Sequence, residues 1–105
     1  MLDYVQLPAM RKFAVEVSGW DKSERFFVEN CDLLWSEETG KHVVLAQKLR
    51  ENAILFIRLL QSGPSEQSHP VVYQAEFVEK AENGGSRFRL KTVTPKVMEF
   101  QQSVN

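Results

Sequence analysis

The chain has a single cysteine, Cys31, so no intramolecular disulfide can form. A lone thiol fits a reducing compartment. There are two histidines, His42 and His69, and nothing in the sequence has the spacing of CxxC or HExxH. The usual zinc motifs are therefore excluded, and no metal or other cofactor is expected. Long apolar runs are also missing. The longest is Ala53–Ile57, far short of the roughly 20 residues that cross a bilayer as a helix. Met1 to Met10 contains Asp3, no basic cluster and no long apolar stretch, so it does not read as a signal peptide. These absences predict a soluble, cytoplasmic protein without membrane insertion. Charge of one sign is lacking as well. Thirteen Lys and Arg offset 14 Asp and Glu, for a net charge of −1. A dedicated DNA-binding domain carries a basic excess to displace counterions, so nucleic acid is not the expected partner.

What is present is an ordinary globular balance, 43% apolar and 26% charged over 105 residues, which predicts one domain covering residues 1–105. Two breaks divide the chain, a Ser-rich stretch from Gln61 to Pro70 and the turn Glu82-Asn83-Gly84-Gly85. Asn-Gly between alternating segments is a strong hairpin signal. Around these breaks the apolar residues recur with a period of two, as a half-buried strand requires. Phe13, Val15 and Val17 alternate with polar or small residues, and that strand ends at Gly19. Arg25–Trp35 reads as a second strand, His42–Ala46 as a short one, and Val71–Glu79 and Arg87–Thr92 as a closing pair. Val71, Tyr73, Ala75 and Phe77 share one face. Lys41–Gln61 contains neither Gly nor Pro. Leu45, Leu49, Ala53, Phe56 and Leu60 there also fit a helical stripe, so both one helix and two strands joined at Leu49–Asn52 satisfy the pattern. After Thr94-Pro95 the spacing of Val97, Phe100 and Val104 predicts a short C-terminal helix.

In layout the segment from Arg11 to Pro95 resembles a PilZ domain, a six-stranded antiparallel β-barrel that in many bacterial proteins receives cyclic di-GMP. Phe13–Gly19 resembles its first strand and turn. Phe27-Val28-Glu29 leading into Leu33–Ser36 resembles the second strand and loop. Val43–Leu45 with Ile54–Leu60 resembles the next pair, and Val71–Glu79 with Ser86–Val93 the closing hairpin. The resemblance favours strands over a helix in Lys41–Gln61 and predicts a mainly β fold. The family reads its ligand with a closely spaced pair of arginines before the first strand and with Asp/Asn-x-Ser-x-x-Gly after the second. Here Tyr4 and Pro8 stand where the arginines would fall, and Arg11 and Lys12 are adjacent and displaced toward the strand. Leu34–Gly40 keeps Ser36, has Leu34 for the Asp, carries its Gly one residue late, and places Glu37 and Glu38 where a dianion would approach. The resemblance thus implies a signalling fold with eroded ligand motifs. Arg11, Lys12, Ser36 and Gly40 are its remaining ligand candidates, and cyclic di-GMP is expected to bind weakly at best.

Three other features admit a functional and a plain reading. Arg87, Arg89 and Lys91 alternate on one strand face, as a phosphate or acidic-partner patch or as a solvated face whose charges discourage edge pairing. Trp20 follows Gly19 at a strand end, as an exposed partner anchor or as a ring over the barrel mouth. Cys31 is a nucleophile candidate or a small buried hydrophobe. No catalytic set accompanies any of them. The sequence therefore predicts a non-enzymatic regulatory domain that engages a protein partner or an adjacent domain through a surface containing Trp20. The alternative is a barrel for nucleotide or single-stranded nucleic acid, using Trp20, Arg11, Lys12 and the basic stripe.

Overall fold

Val15 and Val17 are completely buried, and Glu16 and Ser18 between them are not. That period-two burial recurs along the chain and sets its architecture. The computed structural model describes residues 10–60 and 69–93. Their elements are β1 (Arg11–Trp20), β2 (Phe26–Ser36), β3 (Gly40–Leu45), β4 (Ile54–Leu59), β5 (Val71–Lys80) and β6 (Ser86–Thr92). All neighbours are antiparallel, and the sheet closes on itself in the order β1-β2-β3-β6-β5-β4. Closure pairs every described strand with two neighbours.

The inward positions of the six strands form one core. Val15, Val17, Val43, Leu45 and Leu55 are its most enclosed side chains. Gly19 belongs to the inward set. A Cβ there would stand 2.9 Å from the Ile54 carbonyl oxygen, so glycine lets β1 and β4 approach closely.

The turns use local side-chain acceptors. Asp21 Oδ1 accepts the backbone N–H groups of Ser23 and Arg25, at 2.8 and 2.9 Å, and closes the β1–β2 hairpin. Asn83 Oδ1 accepts from Gly85 N–H at 3.0 Å, and Gly84 takes φ +93° in the β5–β6 turn foreseen at Asn83-Gly84. Glu29 clasps the end of β3, its carboxylate accepting Ala46 N–H at 3.0 Å.

Between Lys41 and Leu60 the chain forms two strands, and no helix occurs among the described residues. Val43 and Leu45, then Leu55 and Ile57, point inward at period two and outweigh the competing helical stripe. Leu49 from that stripe still packs against the core, from the connection. The observed boundaries differ at several ends. β1 starts at Arg11 and runs to Trp20 beyond Gly19, and β3 begins at Gly40 because the β2–β3 turn is tight. Phe77 is 54% exposed, although it follows Val71, Tyr73 and Ala75 at strand spacing. A bulge between Phe77 and Glu79 and the end of β4 pairing at Ile54 leave it uncovered. The helix predicted after Thr94 lies outside the described residues.

Candidate functional site

Ser36 and Gly40 form the last pair of the β2–β3 ladder. Ser36 is buried. Its hydroxyl lies 2.6 Å from Thr39 Oγ1 and accepts the Thr39 N–H at 3.1 Å. Gly40 has φ +80°, a conformation that favours glycine. Both residues therefore shape the hairpin, and the serine oxygen is already engaged within it.

The cations do not gather beside Ser36. Arg11 pairs in register with Trp35, and its guanidinium carbon lies 5.6 Å from the centre of that ring. Lys12, exposed, is opposite Leu34 on the other side of the strand. The stripe on β6 is an ion-pair ladder. Arg89 Nη2 lies 2.6 Å from Glu76 Oε1, and Arg87 Nε lies 3.2 Å from Glu79 Oε2. Lys91 stands opposite Gln74. On the other flank Arg89 pairs in register with His42. Burial first, and then Arg87 and Arg89, hold the His42 imidazole below its ordinary 6.5. The Glu76 carboxyl is held below its usual range, chiefly by its hydrogen bond from Arg89.

Trp20 sits on an outer wall that the sequence reading did not assemble. It is 52% exposed and meets Phe26 edge-on, with ring centres 5.2 Å apart, and Phe56 at 6.3 Å. Register explains the cluster. Trp20 pairs with Phe26, and Ser18, the next outward residue of β1, pairs with Val28 on β2 and Phe56 on β4. Phe56 in turn pairs with Val72 on β5. Small Ser18 thus lies in the middle of an apolar surface spanning four strands. Phe26 and Val28 are more than half exposed, and Ile54 and Val72 are close to 40% exposed, at 38% and 39%. A groove of about 540 Å³ beside Trp20 is bordered by Asp21, Glu24 and Glu51 together with Arg50. The signal for this wall was in the sequence. Phe26-Phe27-Val28 and Ala53–Ile57 are unbroken apolar runs, and in a strand such runs put apolar side chains on both faces.

Cys31 is partly buried and packs against the core. Burial, followed by the Glu29 and Asp32 carboxylates, pushes its thiol up to about 11. That is the opposite of what a nucleophilic thiol needs. Among the described residues no group of three His, Cys, Asp or Glu side chains is placed to hold a metal. No helix among them is long and apolar enough to cross a membrane.

Comparison with family models, with curated proteins and with solved structures finds no match to this chain.

Proposed function

We propose that this chain is a non-enzymatic, cytoplasmic regulatory domain of PilZ-like type that acts through a protein partner or an adjacent domain. The observation that carries this reading is the exposed apolar wall around Trp20, Phe26 and Val28. Exposed aromatic clusters that can be desolvated are where binding energy concentrates. The strand layout and the closed barrel support the PilZ kinship. The engaged Ser36 hydroxyl and the paired Arg87 and Arg89 support weak recognition of cyclic di-GMP.

The nucleotide or single-stranded nucleic-acid reading has the Trp20 rings in its favour as a stacking platform. In the groove beside that platform Glu24 is paired with Arg50 at 2.6 Å, and the remaining carboxylates, Asp21 and Glu51, oppose a phosphate backbone. The same carboxylates suit a protein segment that brings apolar side chains flanked by a basic residue.

The test is Trp20→Ala, measured for both partner affinity and melting temperature. Trp20 is half exposed, so its removal is expected to cost less stability than the roughly 3–5 kcal/mol of a core tryptophan. Affinity for a purified partner is expected to fall by about 2 kcal/mol or more. Unchanged affinity in a folded Trp20→Ala protein would place the interaction elsewhere.

A further inference from the structure

Among the described residues the barrel is open at the end where β1 begins. A cavity of about 420 Å³ enters there between the inward residues of β1, β2, β4 and β5. Its walls are apolar, formed by Phe13, Val15, Leu33, Ile57, Leu59 and Val71. Its polar groups stand at the mouth and are of one sign. Arg11 and Lys41 both line it, each beside an aromatic ring that lines it too. The Arg11 guanidinium lies over Trp35 at 5.6 Å, and the Lys41 ammonium lies over Tyr73 at 5.7 Å. His69 completes the described rim, and none of the described lining residues is acidic.

We propose that this mouth binds a small amphipathic anion, its apolar part inside the barrel and its carboxylate or equivalent head between Arg11 and Lys41. The size is right for such a ligand. Water occupies about 30 Å³ per molecule in the liquid, so the space holds on the order of a dozen heavy atoms, within the usual range of ligand cavities. The charge pattern selects the head group. A guanidinium held near an indole by its charge keeps its N–H donors free for a planar anion. An ammonium over a phenol ring is likewise held in place without being neutralised. The opposite end of the barrel lacks this selectivity, because Lys22, Lys48, Arg50 and Lys80 there are interspersed with Glu51 and Glu76. The site is separate from the wall around Trp20, so it stands or falls independently of the docking surface.

Octanoate is the probe, with octanol as its uncharged counterpart, titrated into the intact chain and followed by the two tryptophan indole N–H signals in two-dimensional NMR. Octanoate is expected to saturate and to shift the Trp35 signal while leaving that of Trp20 in place. Octanol is expected to bind at least tenfold more weakly. Arg11→Gln with Lys41→Gln is expected to lose octanoate at least tenfold, and Lys80→Gln to retain it. Should the paired glutamine variant fail to fold, the charge-keeping pair Arg11→Lys with Lys41→Arg decides in its place, and it is expected to bind octanoate and still discriminate against octanol. No saturation, equal affinity for octanol, or a shift confined to Trp20 would overturn the proposal.

Discussion

Glu76 and Arg89 face each other across β5 and β6, with Arg89 Nε and Nη2 both donating to Glu76 Oε1 at 2.9 and 2.6 Å. This pair, with Glu79 and Arg87 beside it, offsets two of the three cations of the β6 stripe on the outer barrel wall, the third being Lys91 opposite Gln74. His42 closes the row from β3. The paired charges there bind one another, whereas the wall around Trp20 is apolar and exposed.

That row makes stability depend on pH with a definite sign. His42 holds its proton less well folded than unfolded, since its imidazole lies below 6.5 in the barrel. The unfolded chain therefore binds more protons as pH falls from about 7 toward 5, and stability declines over that window. Glu76, held below its usual 4.5, adds a further loss as pH falls past the ordinary carboxylate range. Urea unfolding at a series of pH values checks both. His42→Asn is expected to flatten the slope between about pH 7 and 5, and Glu76→Gln the slope below about 4.5. An unchanged slope in His42→Asn would contradict the account of that residue.

Gly19→Ala tests the closeness of β1 and β4. The added methyl would meet the Ile54 carbonyl oxygen at 2.9 Å and Leu55 Cδ2 at 3.1 Å. A backbone oxygen fixed in a ladder cannot step aside as a flexible side chain can. The expected loss is about 1–3 kcal/mol, the usual range for overpacking. Denaturant unfolding measures it, and a neutral or stabilising result would show that the two strands separate easily.

How much of this was legible in the sequence varies with the range of the interaction. The strands were readable from period two at Phe13–Val17 and Phe88–Thr92, and the β5–β6 turn from Asn83-Gly84. Periodicity alone left Lys41–Gln61 open because Leu45, Leu49, Ala53, Phe56 and Leu60 also form a helical stripe, and the resemblance favoured strands. Burial of Val43, Leu45, Leu55 and Ile57 decides it, and burial comes from strands far away in sequence. The stripe of Arg87, Arg89 and Lys91 was legible as a face. Its partial neutralisation was not, since pairing with Glu76 and Glu79 depends on a register that includes a bulge. Trp20 was singled out alone, whereas Phe26, Val28, Phe56 and Val72 join it only through the register of four strands. The cationic mouth was missed for the same reason. Arg11 and Lys41 lie on strands that both flank β2.

Cys31 is expected to be sluggish toward thiol reagents. With its thiol at about 11 against an ordinary 9.0, it is ionised roughly a hundredfold less at pH 8 than an unperturbed thiol. The greater nucleophilicity of a more basic thiolate recovers about tenfold, which leaves a rate about tenfold slower. The comparison is iodoacetamide labelling of the folded chain against the same chain in urea. Equal rates would mean that Cys31 is more open than the barrel makes it.

On the PilZ-like function proposed above, the barrel works by its surface and cyclic di-GMP binds weakly at best. Charge-assisted hydrogen bonds are worth roughly 1.5–3 kcal/mol each, so lacking two arginines at Tyr4 and Pro8 is expected to weaken the dinucleotide by several hundredfold or more. The most direct measurement is a calorimetric titration of cyclic di-GMP into the intact chain. The account expects a dissociation constant above about 10 µM, or no heat of binding at all. Sub-micromolar binding would contradict it.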